Sequence, residues 1–177
     1  MLKQIALALV ALSVACSSVD ANNQEQTVES ANEFHVASDN VDIINAMDEW
    51  NQHGYVGTLT TEKCKSSNGC SVIEIVDELT NPWNNVPANA LAQCYALRET
   101  KSGLIYDTCE AAYKNNDAVW YKIQVKNIKQ DVRRVVLHEL GHAFGKCHTA
   151  PGTSLMSPEA NQYVHLQDVD LTDTCAK

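Results

Sequence analysis

The sequence lacks a surplus of positive charge. Its 13 Lys and Arg stand against 22 Asp and Glu, a formal net charge of −9. A nucleic-acid-binding domain carries a basic face, so that class is set aside. The acidic surplus itself bears on solubility and not on fold. No internal repeat is present, which sets aside solenoids and repeat arrays. No apolar run approaches the roughly 20 residues that a membrane-spanning helix needs. What remains is a chain of 177 residues with 45% apolar content, enough for one domain around one core.

The longest apolar run is at the N-terminus. Ile5 to Ala15, interrupted only by Ser13, follows the positive Lys3. It has no polar face and reads as the apolar region of a signal peptide. Ser13-Val14-Ala15-Cys16 resembles a bacterial lipoprotein cleavage site, with Ser13 where that pattern has Leu. The resemblance implies an acylated Cys16 as the new N-terminus, and Ser17 after it implies the outer membrane. Ordinary cleavage after Ala21 is the alternative and leaves a soluble periplasmic or secreted protein. Residues 16–33 are polar and read as a tether. The folded domain is expected over residues 34–177.

Seven cysteines occur, at 16, 64, 70, 94, 109, 147 and 175. Either cleavage accounts for Cys16 and leaves six, and an oxidising compartment then favours three disulfides. Cys64 and Cys70 bracket an Asn68-Gly69 turn. Ala90–Leu97 and Gly103–Cys109 read as strands of a hairpin. If it is symmetric about Lys101 and Ser102, Cys94 falls opposite Cys109, within reach of a bond. Cys147 and Cys175 are then left to pair.

Elsewhere, Phe34–Val36, Tyr55–Thr61, Ser71–Val76 and Val119–Val125 have strand composition. Asp39 or Asn40 can cap a helix bearing Ile43, Ile44, Met47 and Trp50, which Gly54 stops. Thr80–Pro87 reads as a loop. Asn127, with Gln130 three residues on, resembles a capping box. It would open a helix from Ile128 to about Lys146 with Val132, Val136, Leu140 and Ala143 buried.

That helix carries His138-Glu139-Leu140-Gly141-His142, then Gly145 and His148. His138 and His142, at i and i+4, share a helical face and can bind one zinc ion. Glu139 beside them can serve as general base. Gly145 tolerates the left-handed conformation that would end the helix and return His148 to the same ion. Three imidazoles leave a fourth position open, which is the arrangement of a catalytic zinc site. The full pattern arises by chance in a chain of this length about once in 10⁵.

HExxHxxGxxH followed by Leu155-Met156-Ser157-Pro158 resembles the metzincin signature and its Met-turn, at the spacing of the matrixin branch. Ala46-Met47-Asp48-Glu49-Trp50 is similar to that family's first-helix A-F-x-x-W. Leu91-Ala92-Gln93-Cys94 is similar to its L-A-H-A edge strand, and Gly103–Asp107 to its G-x-I-H-F-D strand. Leu166–Thr172 resembles the start of its last helix, and Thr149 stands where matrixins have Ser. The resemblance implies an α+β fold: a twisted mixed sheet with two main helices and a short irregular C-terminal part. It implies Met156 beneath the zinc histidines and a substrate lying extended along Leu91, Ala92 and Gln93.

The expected cofactor is one catalytic zinc. Histidine is absent between 54 and 137, so the second, structural zinc of animal matrixins has no ligands here. Calcium stays open. His35, His53 and His165 have no ligand spacing. The expected activity is zinc-dependent hydrolysis of protein or peptide substrates by a monomer that meets the membrane only through Cys16. The alternatives are an exported zinc-binding lipoprotein without turnover and a hydrolase of a non-peptide or cell-wall amide.

Overall fold

The computed structural model describes residues 33–64, 70–115, 120–128, 131–159, 163–172 and 175. The expected signal peptide, the tether up to residue 32 and the Asn68-Gly69 turn lie outside them. Among the described residues no helix is long and apolar enough to cross a membrane.

The elements in chain order are β1 (Glu33–Val36), α1 (Val41–Gln52), β2 (Thr58–Thr60), β3 (Ser71–Val76), β4 (Ala92–Thr100), β5 (Gly103–Thr108), α2 (Cys109–Asn115), β6 (Trp120–Lys126), α3 (Val132–Ala143) and α4 (Asp168–Thr172). The six strands form one mixed sheet in the order β2-β1-β3-β6-β4-β5. β1 runs parallel to β2 and β3, and β3 parallel to β6. β4 is antiparallel to both its neighbours. The class is α+β, with α1 and α3 as the two main helices.

Alternation along the strands gives the sheet one apolar face. Phe34, Val36, Ile73, Ala96, Tyr121, Ile123 and Val125 are buried in the core with Ile43, Ala46, Met47 and Trp50 of α1 and Val136, Leu137, Leu140 and Ala143 of α3. Trp50 is fully buried, and its indole N–H donates to Leu137 O at 2.8 Å, tying α1 to the middle of α3. α1 starts where Asn40 Oδ1 accepts from the backbone of Asp42 and Ile43. Past its end Gly54 takes φ +87°.

The β4–β5 hairpin has the expected register, from Tyr95 opposite Thr108 to Thr100 opposite Gly103. Disulfides join Cys64 to Cys70, Cys94 to Cys109 and Cys147 to Cys175, with Cα separations of 6.1, 5.8 and 5.0 Å.

Three features differ from expectation. α3 begins at Val132 rather than Ile128, and its N-cap is Asp131 in the left-handed region at φ 64°. Asn127 instead continues the β3–β6 ladder, its N–H donating to Val76 O at 2.8 Å. The residues after β5 form α2, where only the end of a strand was expected. Finally, β4 is not the outer strand throughout: β5 covers it from Tyr95 onward. Only Ala92–Cys94 pair with β6 and have no strand partner on their other side among the described residues.

Candidate active site

α3 places His138 and His142 one turn apart on the same side. The helix then ends in a glycine turn. Gly145 has φ +82°, its N–H donates to His142 O at 3.1 Å, and the Lys146 N–H reaches back to Gly141 O at 2.8 Å. These paired bonds are those of a Schellman motif, which favours Gly at this position. The turn does two things. It brings the Lys146 carbonyl beneath the His142 ring, and it returns the chain so that His148 faces the helix.

The outcome is a convergence of three Nε2 atoms. His138 and His142 are 3.1 Å apart, His142 and His148 3.2 Å, and His138 and His148 3.3 Å. His138 Nδ1 lies 2.8 Å from Leu155 O, and His142 Nδ1 2.8 Å from Lys146 O. A carbonyl only accepts, so each Nδ1 carries the hydrogen and each of these two Nε2 atoms presents a lone pair. Burial pushes the His138 imidazole down to about 3, with His142 nearby adding to the effect. Burial likewise pushes His142 down to about 4, with His148 adding. Both rings are therefore neutral near pH 7.

Facing lone pairs at this distance repel unless a cation lies among them. For a zinc–nitrogen distance of about 2.0–2.1 Å, neighbouring corners of a tetrahedron are about 3.3 Å apart. The observed spacings fit zinc. Among the described residues no second group of three potential ligands converges in this way.

Glu139 is also buried. Removal from water pushes its carboxyl up to about 8, and the neighbouring Glu110 charge adds to this. A cation held by the histidines would act in the opposite direction. Glu110, in the first turn of α2, lies 3.2 Å from His142 Nδ1. Sequence reasoning gave it no role, because α2 was not anticipated.

The Leu155-Met156 segment forms the floor. Met156 is fully buried, and its backbone O accepts from the Thr149 N–H at 3.0 Å. A Cβ built on Gly141 would lie 2.4 Å from Met156 Sδ and 3.1 Å from Trp50. Gly141 is thus the place where Met156 packs under the helix, between the two histidines. Asp170 holds this turn from below. It is fully buried, and its carboxylate accepts from Met156 N at 2.9 Å, Leu155 N at 3.3 Å and Gln167 N at 2.8 Å. Asp170 was also missed. The available signal was a reciprocal cap, since an acidic residue three places after Gln167 can accept from its N–H.

Leu91, Ala92 and Gln93 reach the site only through their neighbours. Leu91 O accepts from Lys126 N at 2.9 Å. The Gln93 side chain is occupied with Thr80 O and Gln124 Oε1, at 2.6 and 2.8 Å. Cys94, next in line, is bonded to Cys109, which precedes Glu110. His35 and His53 stand apart from the triad. His165 is tied to Glu49 at 3.2 Å, within a cluster that includes the Glu49–Arg133 ion pair.

Over residues 27–175 the sequence matches the family described as Matrixin. No curated protein matches the chain.

Proposed function

The chain belongs to the matrixin family, and from that premise we propose that it is an endopeptidase, cutting extended protein segments with Glu139 as general base. The family and the three-histidine site support a zinc metallopeptidase acting on proteins or peptides. The observation that carries the proposal is the convergence of three Nε2 atoms beside a buried carboxylate.

His138, His142 and His148 would hold the zinc, which supplies Lewis acidity toward water and the scissile carbonyl when bound. The chain's own residues do the rest. Leu155 O and Lys146 O fix the rings of His138 and His142, so their donor atoms need not reorganise. A Glu139 carboxylate oxygen takes the proton of the attacking water and returns it to the departing amine. The unpaired side of Ala92–Cys94 offers backbone groups to an extended substrate. Strand addition of this kind demands little of the substrate's side chains.

The signal region adds a location. The enzyme is exported and held by lipid at Cys16, or released after cleavage at Ala21. The three disulfides favour an extracellular or periplasmic setting.

Digestion of a peptide library with and without chelator tests the proposal. Cleavage should stop on metal removal and return with zinc. Glu139→Ala should bind zinc as the parent does and lose about 10²–10⁴-fold in turnover. Undiminished cleavage by Glu139→Ala would remove the proposed base. Zinc binding without cleavage of any peptide would favour the non-catalytic alternative.

A further inference from the structure

The three ligand histidines are not supported alike. His138 is backed by one carbonyl, that of Leu155. His148 is largely exposed. His142 alone has an anion behind it: its Nδ1 lies 2.8 Å from Lys146 O and 3.2 Å from Glu110 Oε1. The Nδ1 hydrogen is given to Lys146 O, and the Glu110 carboxylate stands close beside it as a neighbouring charge. The His142 side chain is 7% exposed and that of Glu110 27%, so the charge acts at short range with limited screening.

The placement of Glu110 is built into the fold. The residue before it, Cys109, is bonded to Cys94 of β4. Three residues later, Tyr113 lies against the turn that ends α3. A Cβ on Gly145 would come within 2.3 Å of the Tyr113 ring. α2 is thus pinned by a covalent bond at its start and seated against a glycine one turn on. The carboxylate between these two points is directed at the metal helix.

We propose that Glu110 is a positioning residue of the metal centre, whose carboxylate holds the His142 ring from behind and strengthens its Nε2 as a donor to a divalent cation. The proposal rests on the zinc assignment above. The Lys146 carbonyl fixes the His142 tautomer; a negative charge beside the same N–H raises the donor strength of the opposite nitrogen, and losing an outer-shell partner of a ligand imidazole typically costs 10–100-fold in metal affinity. The Glu110 carboxylate also sets a negative charge beside His142, offsetting part of the dication's charge.

The test uses the full chain freed of metal, with zinc affinity measured by competition against a chromophoric chelator. Glu110→Gln keeps the shape and removes the charge. It should bind zinc 10–100-fold more weakly, with the melting temperature of the metal-free protein unchanged within about 2 °C. Glu110→Ala should lose at least as much affinity, and Glu110→Asp should recover part of it. Affinity of the Gln variant within threefold of the parent would overturn the proposal. So would a marked fall in its metal-free melting temperature, which would assign the contact to folding. His142→Ala separates the two claims. If the parent binds zinc no better than this variant, the zinc assignment itself fails and the role of Glu110 falls with it.

Discussion

Replacing Asp170 with Ala should damage both the fold and the metal site, and the size of the effect can be worked from its contacts. The carboxylate is fully buried and accepts three backbone N–H groups, from Leu155, Met156 and Gln167. Hydrogen bonds to a charged group contribute about 1.5–3 kcal/mol each. A simple sum overstates the loss, because the bonds share one acceptor and deletion also relieves the desolvation of the charge. Removing one partner of a buried charged network costs about 3–5 kcal/mol. At roughly 2–4 °C per kcal/mol for a domain of this size, the melting temperature should fall by about 6–20 °C. Asp170→Asn keeps one acceptor oxygen and turns a donor toward the remaining N–H groups, so an intermediate fall is expected. Zinc affinity should drop as well, because the turn held by Asp170 carries the Leu155 carbonyl that orients His138. Thermal unfolding followed by circular dichroism, with and without zinc, is the assay. A melting temperature of Asp170→Ala within 2 °C of the parent would refute the view that this carboxylate holds the turn.

Gly141→Ala places a Cβ where Met156 Sδ and Trp50 now lie and should cost about 1–3 kcal/mol through overpacking; chemical denaturation would show it as a lower midpoint. Replacing Cys94 and Cys109 together with Ser opens a cross-link across 15 residues and should cost about 3 kcal/mol. An unchanged denaturation midpoint under oxidising conditions would contradict this. Mass spectrometry of the mature protein should find an acylated Cys16 at the N-terminus, and an unmodified chain beginning at Asn22 would rule out the lipid anchor.

What could be read from the sequence followed local spacing. His138, His142 and Gly145 are fixed by helix geometry and by the need for a left-handed residue. The hairpin register followed from symmetry about Lys101 and Ser102. The start of α3 was misread because Asn127 and Gln130 look like a cap. A ladder bond to Val76, distant in sequence, took the Asn127 N–H instead. α2 was invisible for a similar reason. A seven-residue helix is too short to be stable alone, and this one depends on a disulfide to β4 and on Tyr113 seated at Gly145. Asp170 and Glu110 act across 14 and 32 residues, on Met156 and His142 respectively, and no periodicity announces such contacts.

The parallel pairing of β3 with β6 has a consequence for how the chain finds its fold. From Val76 to Trp120, 43 residues must loop out before the two central strands can meet. Closing such a loop is paid for in chain entropy before any pairing rewards it. The Cys94–Cys109 bond lies inside that loop and shortens its path to about 29 residues. On logarithmic scaling this saves only about 0.3–0.4 kcal/mol, less than about a twofold gain in closure rate. Whether this cysteine pair oxidises before or after β3 and β6 meet should therefore matter little to the speed of folding. The bond's larger effects are on the unfolded chain, whose freedom it reduces, and on the seating of α2 against the metal helix.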